Sequence, residues 1–373
     1  ALLRWQHAEQ GFISPAQFVP LAEDTGQIIP LSEWVLGTAC KTARRLIDQG
    51  YPNGVMAVNI SPVQFQRSNF VETVQAALDQ AGLPADHLEL EITETVLLDN
   101  AERAIFTLHA LKSLGVRIAI DDFGTGFSSL NYLKRLPVDK VKIDRSFVQE
   151  VISDRNDAAI TQGIISMAHH LKLKVIAEGV ETEPQFAFLK KSHCDEFQGF
   201  YFAKPMPLAK LDVFLRQQDE LYSNPLPDST DDANKQTLLL LDDEENILRA
   251  LARVLRRDGY HILTANRAQD AFALLAKHDV QVILSDQRMP EMNGTEFLSR
   301  VKDLYPDTIR IVLSGYTDLK SVTDAINQGA IYKFLTKPWN DEQLRATIAQ
   351  AFQHYNLAKP ADDKPQRLDN LKS

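Results

Sequence analysis

A chain of 373 residues, 44% hydrophobic and 24% charged, has room for two or three domains and the composition of an ordinary globular protein. Its formal net charge of −10 speaks against non-specific attraction to DNA or anionic membrane, while leaving room for a locally basic pocket that takes a small phosphate ligand. Cys40 and Cys194 are the only cysteines, so no disulfide framework is expected and a reducing cytoplasm is the expected compartment; no apolar run approaches the length of a membrane span.

From residue 1 to about 222, amphipathic helical stretches alternate with short β-rich runs at 55–59, 88–91, 116–121, 140–144, 174–178 and 197–202. Each run carries a polar or acidic group within it or at its end. Between them, stretches such as 100–114 place Ala104, Ile105, Leu108 and Leu111 on one stripe, as expected of helices that cover a parallel sheet. The pattern fits a β/α barrel or an open α/β sheet, and a barrel collects the C-terminal ends of its strands at one mouth. Six strands are countable where a closed barrel has eight, so the remaining pair is expected at or before the start, and residues 1–5 read as the tail of a strand.

The segment 117–130 is the most informative. Its apolar run stops abruptly at Asp121 and Asp122, followed by a Gly-rich turn. Adjacent carboxylates repel unless a cation joins them, and oxygen-bound divalent metal is one solution; a solvated turn is the evenly weighted alternative. Asp122-Phe-Gly124 lacks the other motifs of a protein kinase, and Gly124-Thr-Gly126 lacks the third glycine of a dinucleotide fingerprint. His169 and His170 are expected on a helix surface.

Residues 223–236 are rich in Pro, Ser, Asn and Asp and read as a linker. Beyond them, β-type runs at 237–243, 260–265, 280–286, 309–314 and 332–337 alternate with helices, the first at about 245–257. Five such strands over 237–355 make a doubly wound parallel sheet with polar groups at its carboxyl edge, and 356–373 reads as a disordered tail.

Several short motifs stand in order along the first region: Ala1-Leu-Leu-Arg-Trp5, Val58-Asn-Ile-Ser61, Glu91-Ile-Thr-Glu94, Asp121-Asp-Phe-Gly-Thr-Gly126, Lys142-Ile-Asp144, Ala177-Glu-Gly-Val-Glu181 and Gln198-Gly-Phe200. Together they resemble the EAL-domain family of cyclic di-GMP phosphodiesterases across residues 1 to about 215. The resemblance implies a TIM-like (β/α)8 barrel lacking its first strands, in which Asn59, Glu91, Asp121 and Asp122 hold two Mg²⁺ or Mn²⁺ ions. It further implies roles for Lys142, Glu178, Gln198 and Asp122 around the attacking water and the phosphate, for Arg4 at a ligand phosphate, and for Glu94 as anchor of loop 122–129. The implied activity is hydrolysis of cyclic di-GMP to linear pGpG; the alternative is a receptor or interaction module that binds without cleaving. The glutamate that names the family would precede Ala1, so residues 1–373 alone are expected to be impaired.

Hard cations favour the carboxylate and amide oxygens this set offers, and a metal pair would supply both a deprotonated water and charge neutralisation for phosphodiester hydrolysis. Asp144 is expected beside the site rather than on a metal.

The second region resembles the receiver domain of two-component response regulators, a flavodoxin-like fold. By that resemblance Asp286 is the phosphoacceptor, Asp242 and Asp243 hold one Mg²⁺ with the Arg288 carbonyl, and Ser314 and Lys337 bind the phosphoryl oxygens. Phe334 takes the place of the aromatic switch, with core packing as the equally weighted alternative, and Lys337-Pro338 is expected cis. A sensor histidine kinase is the implied partner, a homodimer is left open, and phosphorylation is expected to regulate the phosphodiesterase.

Overall fold

A computed structural model describes residues 1–96, 101–126, 133–222, 236–315 and 329–358. The chain divides into two compact units, each containing one parallel sheet. The expected linker, apart from Gln236, lies outside the described residues.

In the first unit a short antiparallel hairpin, β1 (Trp5–His7) with β2 (Gly11–Ile13), precedes the main sheet. The main sheet has six parallel strands in sequential order: β3 (Met56–Ile60), β4 (Leu88–Thr93), β5 (Arg117–Phe123), β6 (Lys140–Ile143), β7 (Lys174–Glu178) and β8 (Glu196–Gln198). They form the curled parallel wall of a TIM-like barrel. The two-residue period of a strand sorts its side chains. On β4, Leu88, Leu90 and Ile92 are fully buried on one face and Glu89 and Glu91 are buried on the other; on β6, Val141 and Ile143 oppose Lys140 and Lys142. One face thus packs on helices such as Ala101–Leu114, which buries Ala104, Ile105, Leu108 and Leu111 as its stripe requires. The opposite face is charged.

Two details of this unit differ from expectation. Residues 1–5 were expected as a strand tail, yet pairing begins only at Trp5 and turns back on Gly11–Ile13, while the Ala1 ammonium donates to the Ala57 carbonyl of β3. The strand expected at 197–202 ends at Gln198. A Cβ at Gly199 would lie 2.0 Å from the Val180 carbonyl oxygen, so the backbone crosses there at a distance only glycine permits, and Tyr201 N–H then bonds Val180 instead of extending β8. His169 and His170 are exposed at the end of the helix Arg155–His170, as anticipated.

The second unit orders its parallel strands β10 (His261–Ala265), β9 (Thr237–Leu241), β11 (Val282–Asp286), β12 (Ile309–Ser314) and β13 (Lys333–Thr336). This is the doubly wound flavodoxin-like arrangement. Both faces of β9 are buried: Leu239 and Leu241 join a core with Phe272 and Phe297, and Leu238 and Leu240 join one with Leu251 and Phe352. A continuous leucine run is what a strand covered on both sides needs. The last described helix, Asp341–Ala358, continues three residues into the stretch expected as tail; the remainder of that stretch lies outside the described residues.

Candidate active site and receiver site

The β5–β6 pairing carries a register shift. Ile120 faces Val141 and Phe123 faces Ile143, so Asp121 and Asp122 together oppose the single residue Lys142. Asp122 takes a left-handed φ of 53°, unusual for a residue with a side chain. Asp121 is buried and Asp122 is exposed, and the Asp122 N–H donates to Asp121 Oδ1 at 3.0 Å. The adjacent carboxylates are therefore separated by a bulge that sends one inward and one toward the mouth.

Lys142, 3% exposed, gathers the charges of four strands. Its Nζ lies 2.8 Å from Glu91 Oε1, 2.9 Å from Asp121 Oδ1 and 2.6 Å from Glu178 Oε1. One ammonium faces three carboxylates, and their attraction overcomes burial to hold its pKa well above the usual lysine range. The negative surplus shows on Glu178, whose carboxyl is pushed up to about 7 by burial first and then by Asp121 and Glu91, against the pull of Lys142. Asp122 is raised as well, by burial, then by Asp121 and Asp144.

The other expected groups lie around this cluster. Asn59 is the register partner of Glu91, and Gln198 that of Glu178. Arg4 and Asn59 line a cavity of about 320 Å³ with Thr93 and Ser61, and the Arg4 guanidinium donates to the Leu3 carbonyl. Asp144 accepts from Ser146 N–H and its hydroxyl, which fixes it at the start of the helix Arg145–Gln149. Glu94 is buried with no hydrogen bond to either carboxylate oxygen among the described residues, and Gly126 sits against it. The end of the loop it was expected to anchor, from residue 127, lies outside the described residues.

Among the described residues no three His, Cys, Asp or Glu side chains form a ready metal cage. Of the expected set, Glu91 and Asp121 converge on Lys142 and Asn59 is the register partner of Glu91, while Asp122 is exposed. The donor chemistry nevertheless fits divalent cations: all are hard oxygen donors, and the local excess of negative charge that raises Glu178 and Asp122 is what a cation would offset.

Beneath this layer lies a second ionic layer that the sequence reading did not single out. Lys140 Nζ lies 3.0 Å from Glu89 Oε2 and 2.5 Å from Glu196 Oε2, tying β4, β6 and β8 together. The Glu89/Glu91 and Lys140/Lys142 spacing of two was the available signal.

In the second unit, Lys337 Nζ lies 2.9 Å from Asp242 Oδ2 and 2.5 Å from Asp286 Oδ1, at the ends of β9, β11 and β13. Burial lowers and the two carboxylates raise the lysine pKa, with a net rise. Asp242 is itself raised, chiefly by burial. Arg288 N–H donates to Asp286 Oδ2 at 2.9 Å. A Cβ at Gly294 would fall 2.0 Å from the Asp286 carbonyl oxygen, so glycine lets the following helix pack directly on the strand end. Ser314 is buried at the end of β12, Asp243 is exposed, and Lys337-Pro338 is cis. Phe334 is 36% exposed, which rules out the simple core-packing alternative.

The EAL domain profile matches residues 1–205, more than half the chain. The chain belongs to the EAL domain family. A response regulator receiver domain profile matches residues 238–349, so an EAL domain and a receiver domain share one chain. Two similar EAL-containing proteins come from Pseudomonas aeruginosa. Cyclic di-GMP phosphodiesterase NbdA is 49% identical over 216 residues, covering 58% of this chain and 28% of NbdA. Bifunctional diguanylate cyclase/cyclic di-GMP phosphodiesterase MucR is 47% identical over 211 residues, 57% of this chain and 31% of MucR. The chain thus spans less than a third of either relative. Among solved structures, the PaMucR phosphodiesterase in its c-di-GMP complex is similar with a TM-score of 0.55 at 47% identity, over 56% of this chain and 85% of that one. The EAL enzyme Bd1971, bound to cAMP and cyclic di-GMP, gives 0.55 at 36% identity, over 57% and 59%. No helix among the described residues is long and apolar enough to cross a membrane.

Proposed function

We propose that this EAL domain hydrolyses cyclic di-GMP to the linear dinucleotide pGpG in a metal-dependent reaction, under control of phosphorylation at Asp286. The observation that carries the catalytic half is the convergence of Glu91, Asp121 and Glu178 on Lys142 at the strand ends, with Asp122 and Asn59 alongside. Its similarity to two cyclic di-GMP phosphodiesterases supports the choice of substrate.

Asn59, Glu91, Asp121 and Asp122 would hold the divalent ions, which supply a water acidic enough to attack at neutral pH and charge neutralisation for the phosphoryl oxygens. The chain's own groups do the rest. Lys142 stays protonated and presents a fixed positive charge where negative charge grows on the phosphate. Glu178, near neutrality in its proton affinity, can hold or release a proton at Oε1 beside that ammonium. Arg4, free to swing from its own backbone contact, would grip a phosphate of the dinucleotide, and Gln198 would orient the attacked group from the adjacent strand end. Glu94 would hold the loop that starts at Asp122.

In the receiver, Lys337 already spans Asp242 and Asp286, and a phosphoryl group on Asp286 would draw that ammonium and the Ser314 hydroxyl onto its oxygens. Asp242 and Asp243 would hold the Mg²⁺, and Phe334, exposed on β13, would change its packing with that rearrangement. A sensor histidine kinase would be the phosphodonor's source. The test is direct: cyclic di-GMP turnover followed by chromatography with Mg²⁺, with Mn²⁺ and after chelation, together with calorimetric binding. Tight binding without any metal-dependent pGpG would replace the enzyme with a receptor.

A further inference from the structure

The receiver's first helix, Glu245–Leu255, buries Leu248, Leu251 and Leu255 and turns Arg249 and Arg253 outward; the turn that follows adds Arg256 and Arg257. These four arginines and Ala252 line one surface cavity of about 470 Å³. That size falls in the ~300–1,000 Å³ range of small-ligand sites. Their spacing of three and four residues makes like charges neighbours on the helix, an arrangement that destabilises it unless acids intervene.

Among the described residues an acid intervenes only at Arg249, through Glu245, and the contrast with the rest of the domain is specific. Arg267 pairs with Glu291, Arg300 with Glu296 and Arg345 with Asp258, and Arg310 donates to three carbonyls. Within the cluster Arg249 pairs with Glu245, but Arg253, Arg256 and Arg257 make no ion pair or hydrogen bond among the described residues. The carboxylate next to them in sequence, Asp258, is taken up by Arg345. Three unpaired guanidiniums around one hollow, in a chain of net charge −10, form a concentrated positive field.

We infer that this hollow on the receiver's first helix binds a compact, soluble oligophosphate anion, at a site distinct from both strand-end clusters. Guanidinium groups present paired N–H donors that match phosphate oxygens two at a time, and several of them converging on one concavity suit an ion carrying two or more phosphate groups. A flat acidic protein surface would not need the hollow.

Pyrophosphate titrated calorimetrically into the full chain, at low ionic strength and without divalent metal, tests this. Wild type should bind at one site, and affinity should fall as salt is raised. Arg253→Gln with Arg257→Gln should weaken binding by about a hundredfold, given that each charged hydrogen bond contributes roughly tenfold or more. Arg253→Lys with Arg257→Lys, which keeps the charge and loses the fork, should fall between. Arg300→Gln on another helix should bind as wild type does. Circular dichroism of each variant confirms folding, which these exposed positions should not disturb. No binding by wild type, or equal affinity in the Arg253/Arg257 glutamine variant, would overturn the assignment.

Discussion

The two units solve one electrostatic problem in different ways. Both gather carboxylates at the carboxyl ends of parallel strands and hold them with a single lysine. In the EAL domain Lys142 is 3% exposed and faces three carboxylates; in the receiver Lys337 is 25% exposed and faces two. The deeper lysine sits mid-strand, supported from below by the Lys140 layer. The shallower one sits just past its strand, beside a cis peptide. A buried cluster with surplus negative charge is suited to staying fixed while cations and substrate come to it. A lysine that solvent reaches is suited to being rearranged around its carboxylates, which is what a phosphoacceptor requires.

If that contrast is right, removing the lysines should have unequal costs. Lys142→Met leaves three carboxylates crowded without a counter-charge, and should cost on the order of 3–5 kcal/mol of stability, as loss of one partner from a buried ion cluster does. Lys337→Met should cost less, because it faces two carboxylates rather than three and is itself 25% exposed. Urea denaturation of both variants, read separately for each unit, decides it; equal losses would erase the distinction between the sites.

The next largest effect belongs to Asp121. Asp121→Asn should reduce Mn²⁺ affinity and cyclic di-GMP turnover together, by more than the ~10–100-fold that loss of an outer-shell partner costs. Turnover near wild type at saturating Mn²⁺ would remove Asp121 from the metal set. Asp122→Asn, whose side chain points to the mouth, should cost metal affinity but little stability.

Receiver occupancy should alter turnover by a smaller factor. A beryllofluoride adduct at Asp286 should change the rate of wild type and leave Asp286→Ala untouched, since only a differential interaction of the two receiver states with the enzyme can shift it. Identical rates in every sample would assign the receiver to another purpose.

The smallest effect calibrates the others. Asp195 accepts from His169 Nε2 at 2.9 Å and from Val175 N–H at 2.7 Å, and although burial works the other way, these partners hold its carboxyl below the usual aspartate range. A depressed carboxylate stabilises the fold above the unfolded-state pKa and loses that contribution as pH falls through its lower folded-state value. Asp195→Asn should therefore cost under ~1 kcal/mol at neutral pH for so exposed a pair. The gap to wild type should close below about pH 3.8, the ordinary aspartate value. A cost as large as that of Lys142→Met would mean that depth of burial is not what separates the two lysine sites.

Much of this was legible in the sequence because it lay in short runs. The β-type stretches around Leu90, Ile118 and Val141 appear as strands, and the leucines at 238–241 announce a strand covered on both faces. Gly199 was different: its effect depends on Val180, which is near in space and distant in sequence, so β8 was read too long. The hairpin at Trp5 was hidden for a similar reason, since three-residue strands carry no period to read. The motif residues were nameable, but their partition was not. Nothing in Asp121-Asp122 by itself says that one turns inward to Lys142 and the other outward, because that follows from a pairing slip against β6.

That slip makes chain length at this point as consequential as chemistry. Deleting Asp122 would let β5 and β6 run in continuous register, Asp121 alone against Lys142 and Phe123 still against Ile143. What would be lost is the exposed carboxylate and the left-handed backbone that carries it, with φ of 53°. A one-residue deletion should therefore remove both the outer carboxylate and the backbone position that holds it, where Asp122→Asn removes the charge alone.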